Sequence, residues 1–338
     1  MAGPYSSSAA VNYWGAGKET TKGTGVAPTV FVPYQGDVDL DHAMGEKTIH
    51  EAGVGPYASR NMKQKHDPGG KVGAAWRPST FGKLAAWFLG ADTISGAGPY
   101  THTCTPAESL THLTVEQNLN DEAIERFVDC YLKGLSVEGK GGDDLMATVD
   151  WFGFTPDWRA AATTDTYETG ISGVTPGGPF RMNEGVYTVD GSAATNVQEW
   201  KIDWSWKFDE DIRLSAVTRA YTQKLELTGK ITLKQLMIAD VNDYRKVNFY
   251  STSGTAANKN FFPTGAFIAA FDNGLTTTNN RQITFTCPQI AWTKAKYTSL
   301  NPDGQTVYLE REGIIEKPAA AAFSTIVGIT GDSTGYLV

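Results

Sequence analysis

From Glu199 to Leu236 the chain reads EWKIDWSWKFDEDIRLSAVTRAYTQKLELTGKITLKQL. This stretch constrains the fold more than any other. Side chains on a strand point to opposite faces in turn. Trp200, Ile202, Trp204, Trp206 and Phe208 therefore form one row, opposite Glu199, Lys201, Asp203, Ser205, Lys207 and Asp209. Further on, Leu225, Leu227, Ile231 and Leu233 share a face, opposite Lys224, Glu226, Thr228, Lys230, Thr232 and Lys234. A helical period of about 3.6 would scatter both rows around a cylinder. The pattern predicts two long antiparallel strands with one buried and one wet face. Strands usually run about five or six residues, so a pair this long suits a sheet continued by a neighbouring subunit.

The remaining chain predicts further strands at Lys71–Arg77, Leu113–Leu119, Phe127–Glu138, Leu145–Trp151, Ile283–Tyr297 and Thr306–Ile315, with Gly-rich or Pro-Asp-Gly turns between them. Two short helices are expected. Pro78–Gly90 has Ser79 or Thr80 to cap it, a stripe of Phe81, Leu84 and Phe88, and a stopping glycine. Asp240–Tyr250 carries Val241, Tyr244 and Val247 on one side. The fold class is mainly β, as two tandem β-sandwich or split-barrel units with one short packed helix each. Residues 1–30 read as an N-terminal arm, 31–154 as the first unit, 155–196 as a linker or surface excursion, 197–317 as the second unit, and 318–338 as a C-terminal arm.

Landmarks recur in order at nearly constant spacing. Gly70-Lys71 and Gly229-Lys230 are 159 apart, Ser79 and Asp240 are 161 apart, and Cys130 and Cys287 are 157 apart. Gly141-Gly142 and Asp303-Gly304 are 162 apart. Two similar units in one chain let n chains build a ring of 2n equivalent positions, through head-to-tail interfaces that close.

Charge and cysteine usage narrow the function. A formal charge of −8 argues against a chain that grips nucleic-acid phosphates, which needs clustered Lys and Arg. Three cysteines, an odd number without metal-like spacing, fit free thiols in a reducing compartment. The start lacks a basic segment followed by an apolar run, so no secretory signal is expected. No apolar run approaches the roughly 20 residues of a membrane helix.

Catalytic patterns fail on inspection. The Gly-Lys pairs lack the following Ser or Thr of a phosphate loop, His50-Glu51 has no second His, and no GxSxG occurs. His102, Cys104, His112 and Cys130 form a weak metal set, and Asp37, Asp39 and Asp41 an incomplete calcium loop, with His42 and Thr48 where Gly and Glu are needed. The reading assigns no cofactor, no metal and no enzymatic activity. Trp200, Trp204, Trp206 and Phe208 read as core aromatics, with a sugar-stacking platform as the alternative.

Residues 17–24 (GKETTKGT), continuing to Ala27-Pro28-Thr29, are similar to the start of a family of bacteriophage tail tube proteins. The helix ending Leu89-Gly90, the strand Thr101–Cys104 and the strand–turn–strand of 127–151 resemble that family too. The resemblance implies the major tail tube subunit of a long-tailed phage, located in the virion tail after synthesis in the host cytoplasm. It would assemble into stacked rings around a DNA-conducting lumen. Three two-unit chains, rather than six, would then form each ring. Implied partners are copies of itself and the tail terminator, tape measure and tail-tip proteins, while double-stranded DNA passes without tight binding. Glu138, Asp143, Asp144, Asp150, Asp203, Asp209, Glu310 and Glu312 are candidate lumen residues, because a net negative lining would repel phosphates. The alternative is a carbohydrate-binding or receptor-binding β-sandwich of a phage tail tip.

Overall fold

The computed structural model describes residues 13–33, 39–41, 44–49, 60–109, 111–119, 123–159, 178–212, 221–236, 242–249, 261–276, 279–298 and 306–337. In chain order the elements are β1 (Tyr13–Lys18), β2 (Val30–Val32), β3 (Asp39–Asp41), β4 (Met44–Ile49), β5 (Arg60–His66), β6 (Gly69–Ala75) and α1 (Pro78–Leu89). Next come β7 (Gly90–Ser95), β8 (Tyr100–Pro106), β9 (Leu113–Leu119), β10 (Ala123–Lys140), β11 (Met146–Phe152) and β12 (Thr155–Arg159). After a short 3-10 turn follow β13 (Gly185–Val189), β14 (Ser192–Ala194), β15 (Val197–Ile212), β16 (Tyr221–Leu236) and α2 (Asn242–Phe249). The chain ends with β17 (Thr264–Asp272), β18 (Gln282–Tyr297), β19 (Tyr308–Ile315) and β20 (Thr325–Thr330).

The fold is mainly β. Apart from the hairpin β4–β5, all strands join one antiparallel network. Its spine is a sheet in the order β3–β6–β11–β10–β15–β16–β19–β18. The long strands β10 and β18 each belong to two sheets. Their second halves lie in the spine, and their first halves pair with β9 and β12, and with β17 and β20. Both carry a register shift where they pass between sheets, at Leu132/Gly134 and at Trp292/Lys294. A bulge bends a strand and increases its twist, which lets one chain turn the corner between packed layers.

Pairing repeats with a near-constant offset. Lys71 faces Asp150 and Asp150 faces Gly134; Thr232 faces Glu312 and Glu312 faces Lys294. The offsets are 161, 162 and 160. The same rows put β3 in register with β15, since Asp39 faces Lys71 and Lys201 faces Thr232. Two sequence landmarks shift under these registers. Lys71 corresponds to Thr232, not Lys230. Cys287, opposite Phe267, takes the place of Phe127 opposite Val115, so Cys130 is not its counterpart.

Strand alternation decides what is inside. Trp200, Ile202, Trp204 and Trp206 are buried and Phe208 packs against the core beside them. Val72, Leu135, Val137, Val149, Ile231 and Leu233 line the same face. The row meets a second layer: Trp200 lies 5.5 Å from Phe267 and 5.8 Å from Phe285, centroid to centroid. The alternation expected in β16 breaks at one point. Lys207 faces Glu226 but Phe208 faces Lys224, so Leu225 is an extra residue. Leu225 consequently turns outward, and the Lys224 ammonium sits 3.5 Å from the Trp206 ring centroid and donates to the Ala107 carbonyl.

Helix α1 begins at Pro78, whose fixed φ and missing N–H suit the first turn. Its N-cap is Arg77, without a side-chain cap bond, and Gly90 ends it at φ 97° with its N–H on the Ala86 carbonyl. Phe81, Leu84 and Phe88 are buried. In α2, Val247 is buried and Tyr244 stacks on Tyr297 at 4.4 Å, while Val241 lies outside the described residues.

The stretches expected as arms and excursion contain paired strands. β1 and β2 lie in 1–30 or just beyond it and bury Tyr13, Trp14 and Val32. β12, β13 and β14 lie in 155–196, and β20 in 318–338. Weak periodicity in short strands hid them, because a run of three to six residues carries little alternation.

Candidate functional site

The wet face of the spine sheet gathers most of the candidate acidic residues. Glu138, Asp150, Asp203, Glu310 and Glu312 all project from the side opposite the buried rows. Asp209 lies farther along β15, towards the end of the long hairpin. Asp143 and Asp144 do not join the face. They sit in the β10–β11 turn, where Asp144 pairs with Arg181 at 3.9 Å.

The face is not a net negative wall. Cross-strand register sets lysines against the acids: Lys71 beside Asp150, Lys201 beside Glu138, and Lys230 beside Asp203. Lys294 Nζ is 2.7 Å from Glu312 and Lys296 Nζ is 2.8 Å from Glu310. Lys201 reaches Asp203 along its own strand at 3.1 Å, and Lys234 is 4.0 Å from Glu199. The Glu310 hydrogen bond holds Lys296 above its ordinary pKa. Solvent and salt screen such exposed pairs, so they contribute little to stability. Their effect is electrical: paired charges leave little long-range field beyond the roughly 8 Å screening length at physiological salt. The correction comes from counting acids along single strands, where the neutralising lysine sits on the adjacent one.

The aromatic row faces the interior, so Trp200, Trp204 and Trp206 offer no exposed stacking platform. The residues considered for a metal are dispersed among other partners. His112 Nδ1 is 2.8 Å from Asp129, and Cys104 and Cys130 are buried thiols whose pKa values burial pushes up. Among the described residues no group of three or more His, Cys, Asp or Glu side chains is placed to hold an ion. Of the Asp37, Asp39 and Asp41 set, Asp37 lies outside the described residues.

Buried polar clusters among the described residues escaped the sequence reading, and two of them join distant segments. Arg311 is buried on β19 between Glu310 and Glu312. Its Nη1 contacts Asp190 at 2.8 Å and Asp243 at 3.3 Å, and its Nη2 donates to Gln235 Oε1 at 2.6 Å. The signal was available: the alternation that puts Glu310 and Glu312 outside puts Arg311 inside. The second cluster is His102, fully buried, with Nδ1 3.1 Å from Asp92 and Nε2 3.0 Å from the Asp332 carbonyl. Asp92 also accepts the Tyr336 amide, and the Tyr336 ring stacks on His102 at 3.9 Å.

Both His102 nitrogens face acceptors, so the imidazolium satisfies both and the neutral ring leaves one unmatched. Burial works against the charge, but the Asp92 hydrogen bond, the Asp332 carbonyl and both nearby carboxylates outweigh it and raise the pKa. A raised folded pKa contributes stability that is fully present below the unfolded value of about 6.5 and is lost as pH rises through the folded value. Thermal stability is therefore expected to fall as pH rises above about 6.5 and through the raised folded value of His102, with the 331–337 segment loosening first. His102→Gln should flatten that dependence in a pH series of melting curves; an unaltered slope in the variant would contradict the assignment.

Among the described residues no helix is long and apolar enough to cross a membrane. A family model described as phage tail tube protein matches residues 10–291. No curated protein matches the chain.

Proposed function

Because the chain belongs to the phage tail tube protein family, with a structural role in the virion tail, we propose that it polymerises into stacked rings whose lumen conducts the phage genome. The observation that carries this reading is the recurrence of strand order β3–β6–β11–β10 as β15–β16–β19–β18, joined edge to edge by β10 and β15. Two blocks that meet head to tail within one chain already use the heterologous contact from which rings are built. On this reading the chain divides into two tube modules. The first extends the expected 31–154 to include β1, β2 and β12, and the second extends 197–317 to include β13, β14 and β20. Three chains per ring then give six equivalent modules.

The paired-charge face is assigned to the lumen, in place of a net negative lining. Duplex DNA carries one charge per about 1.7 Å of axis and is held by proteins that release its counterions. A wall whose lysines are already matched by carboxylates offers no such release, so DNA slides past. The tail terminator, tape measure and tail-tip proteins are the partners expected at the two ends and inside. Assembly in the host cytoplasm belongs to the same proposal, and no chemistry is assigned to the chain.

Electron microscopy of the purified protein tests the reading directly. Stacked rings with three-fold symmetry are expected, and a population of monomers under all conditions would overturn it. The lumen assignment has a separate test. Glu138→Lys, Asp203→Lys and Glu312→Lys combined should leave tubes intact, since each pair is exposed and weak. Ejection of DNA from phage carrying the variant should slow, and should recover with added salt. Ejection at the wild-type rate would place this face outside the lumen.

A further inference from the structure

β20 ends at Thr330, paired with β8 on one side and β18 on the other. Residues 331–337 then cross, as a strap, a socket built by β1, α1, β7 and β8. The socket holds this strap by its main chain. Trp87 Nε1 donates to the Tyr336 carbonyl at 2.7 Å, and Asp92 accepts the Tyr336 amide at 2.8 Å. His102 Nε2 is 3.0 Å from the Asp332 carbonyl, and the Lys18 ammonium donates to the Leu337 carbonyl. Of residues 331–337 only Tyr336 is buried, while Gly331, Ser333 and Thr334 are exposed. The Tyr336 ring lies nearly parallel to His102, and Gly82 of α1 leaves room for it, since a Cβ there would stand 3.2 Å from the ring. Beside the ring a cleft of about 340 Å³ opens between the strap and Lys18, Thr29, Lys83 and Trp87.

One aromatic anchor in a slot, with side chains of the socket bonding the main chain, is how a folded domain binds a peptide. We propose that this socket is a peptide-binding site, and that residues 332–337 occupy it as a releasable ligand which a second peptide of the same sequence can replace.

His102 sets the condition for release. The groups that face it are Asp92 of β7, Cys104 on its own strand, and Asp332 and Tyr336 of the strap, with Lys83 of α1 reaching Asp332 at 3.9 Å. The imidazolium donates to Asp92 and to the Asp332 carbonyl at once, whereas the neutral ring has a single N–H. A carboxylate is the stronger acceptor, so the bond given up as pH rises is the one to the strap. Opening has a second gain. Asp92 Oδ1 is buried without a hydrogen-bond partner, and lifting the strap lets water reach it.

Cys104 reports on the socket, because this buried thiol lines the same slot as Gly82, His102 and Tyr336. Iodoacetamide labelling of the native full chain, read at Cys104 by mass spectrometry, should be faster in Tyr336→Ala than in wild type by roughly tenfold or more. A synthetic peptide of residues 330–338 at about millimolar concentration, the order at which a tethered ligand acts, should slow the variant again. The same peptide carrying Tyr336→Ala should not. Equal labelling of variant and wild type overturns the proposal, as does a variant folded by circular dichroism that no peptide protects, or that both peptides protect alike. The wild-type rate divided by the variant's rate at the same pH cancels thiol ionisation. That ratio should rise from pH 6 to pH 8 and stay level when both chains carry His102→Gln; a level ratio without that change overturns release through His102. Amide exchange of 332–337 in the wild-type chain, referred to β20, needs no substitution. Exchange that gains nothing on β20 between pH 6 and pH 8 overturns release as well.

Discussion

Arg311→Ala is expected to lower the free energy of unfolding by about 3–5 kcal/mol, the range found when one partner of a buried ion pair is removed. The guanidinium joins four elements that are distant in sequence. It holds Asp190 in the β13–β14 turn, Asp243 at the start of α2 and Gln235 in β16, and its central carbon lies 4.5 Å from the Trp292 ring of β18. Without it, Asp243 loses a cation. Among the described residues, Asp190 keeps the Ala266 amide and the Trp292 indole N–H as donors, both on Oδ1. Lysine is not an adequate substitute, because a single ammonium cannot span the fork between Asp190 and Gln235. Arg311→Lys should therefore recover only part of the loss. Chemical denaturation of the three proteins checks this, and a loss under about 1 kcal/mol for alanine would mean the cluster is not a keystone.

Trp200→Ala is expected to cost a comparable amount, about 3–5 kcal/mol, by the loss of buried surface and the cavity left behind. Trp200 is fully buried and touches the second layer through Phe267, Phe271 and Phe285. A Cβ added at Gly139, its partner across the β10–β15 junction, would lie 2.7 Å from the Trp200 Nε1 atom, so the glycine makes room for the ring. The neighbouring Lys201 provides the comparison. Its side chain is partly exposed on the opposite face, and Lys201→Ala should change stability by no more than about 0.5 kcal/mol. Equal effects at 200 and 201 would contradict the two-faced reading of the sheet.

The longer strands show how much was legible. β9 has the bounds expected for it, Leu113–Leu119, and β6, β11, β18 and β19 lie within one or two residues of their expected ends. Of these, β11, β18 and β19 alternate over about six or more residues, and α1 was marked by Pro78, Gly90 and its apolar stripe. Where local chemistry was thinner, reading failed. β13 and β14 sit in a run of Thr, Gly and Ala, and the Leu225 bulge reverses an alternation that continues on paper.

The candidate site divides along the same line. That Glu138, Asp203, Glu310 and Glu312 stand on the wet side, and Trp200 and Trp204 on the dry one, follows from a period of two residues and needs no partner strand. The sequence alone therefore determined the long strands and, away from the Leu225 bulge, which way their side chains point. Which strand lies beside which was decided only by the tertiary structure. The pairing of Glu138 with Lys201 spans 63 positions, and that of Lys201 with Thr232 spans 31. No local pattern encodes such distances, because the hydrogen bonds joining two strands run between backbone groups that every residue shares. Only the packed core selects one neighbour over another, and that selection set lysines beside a row of acids.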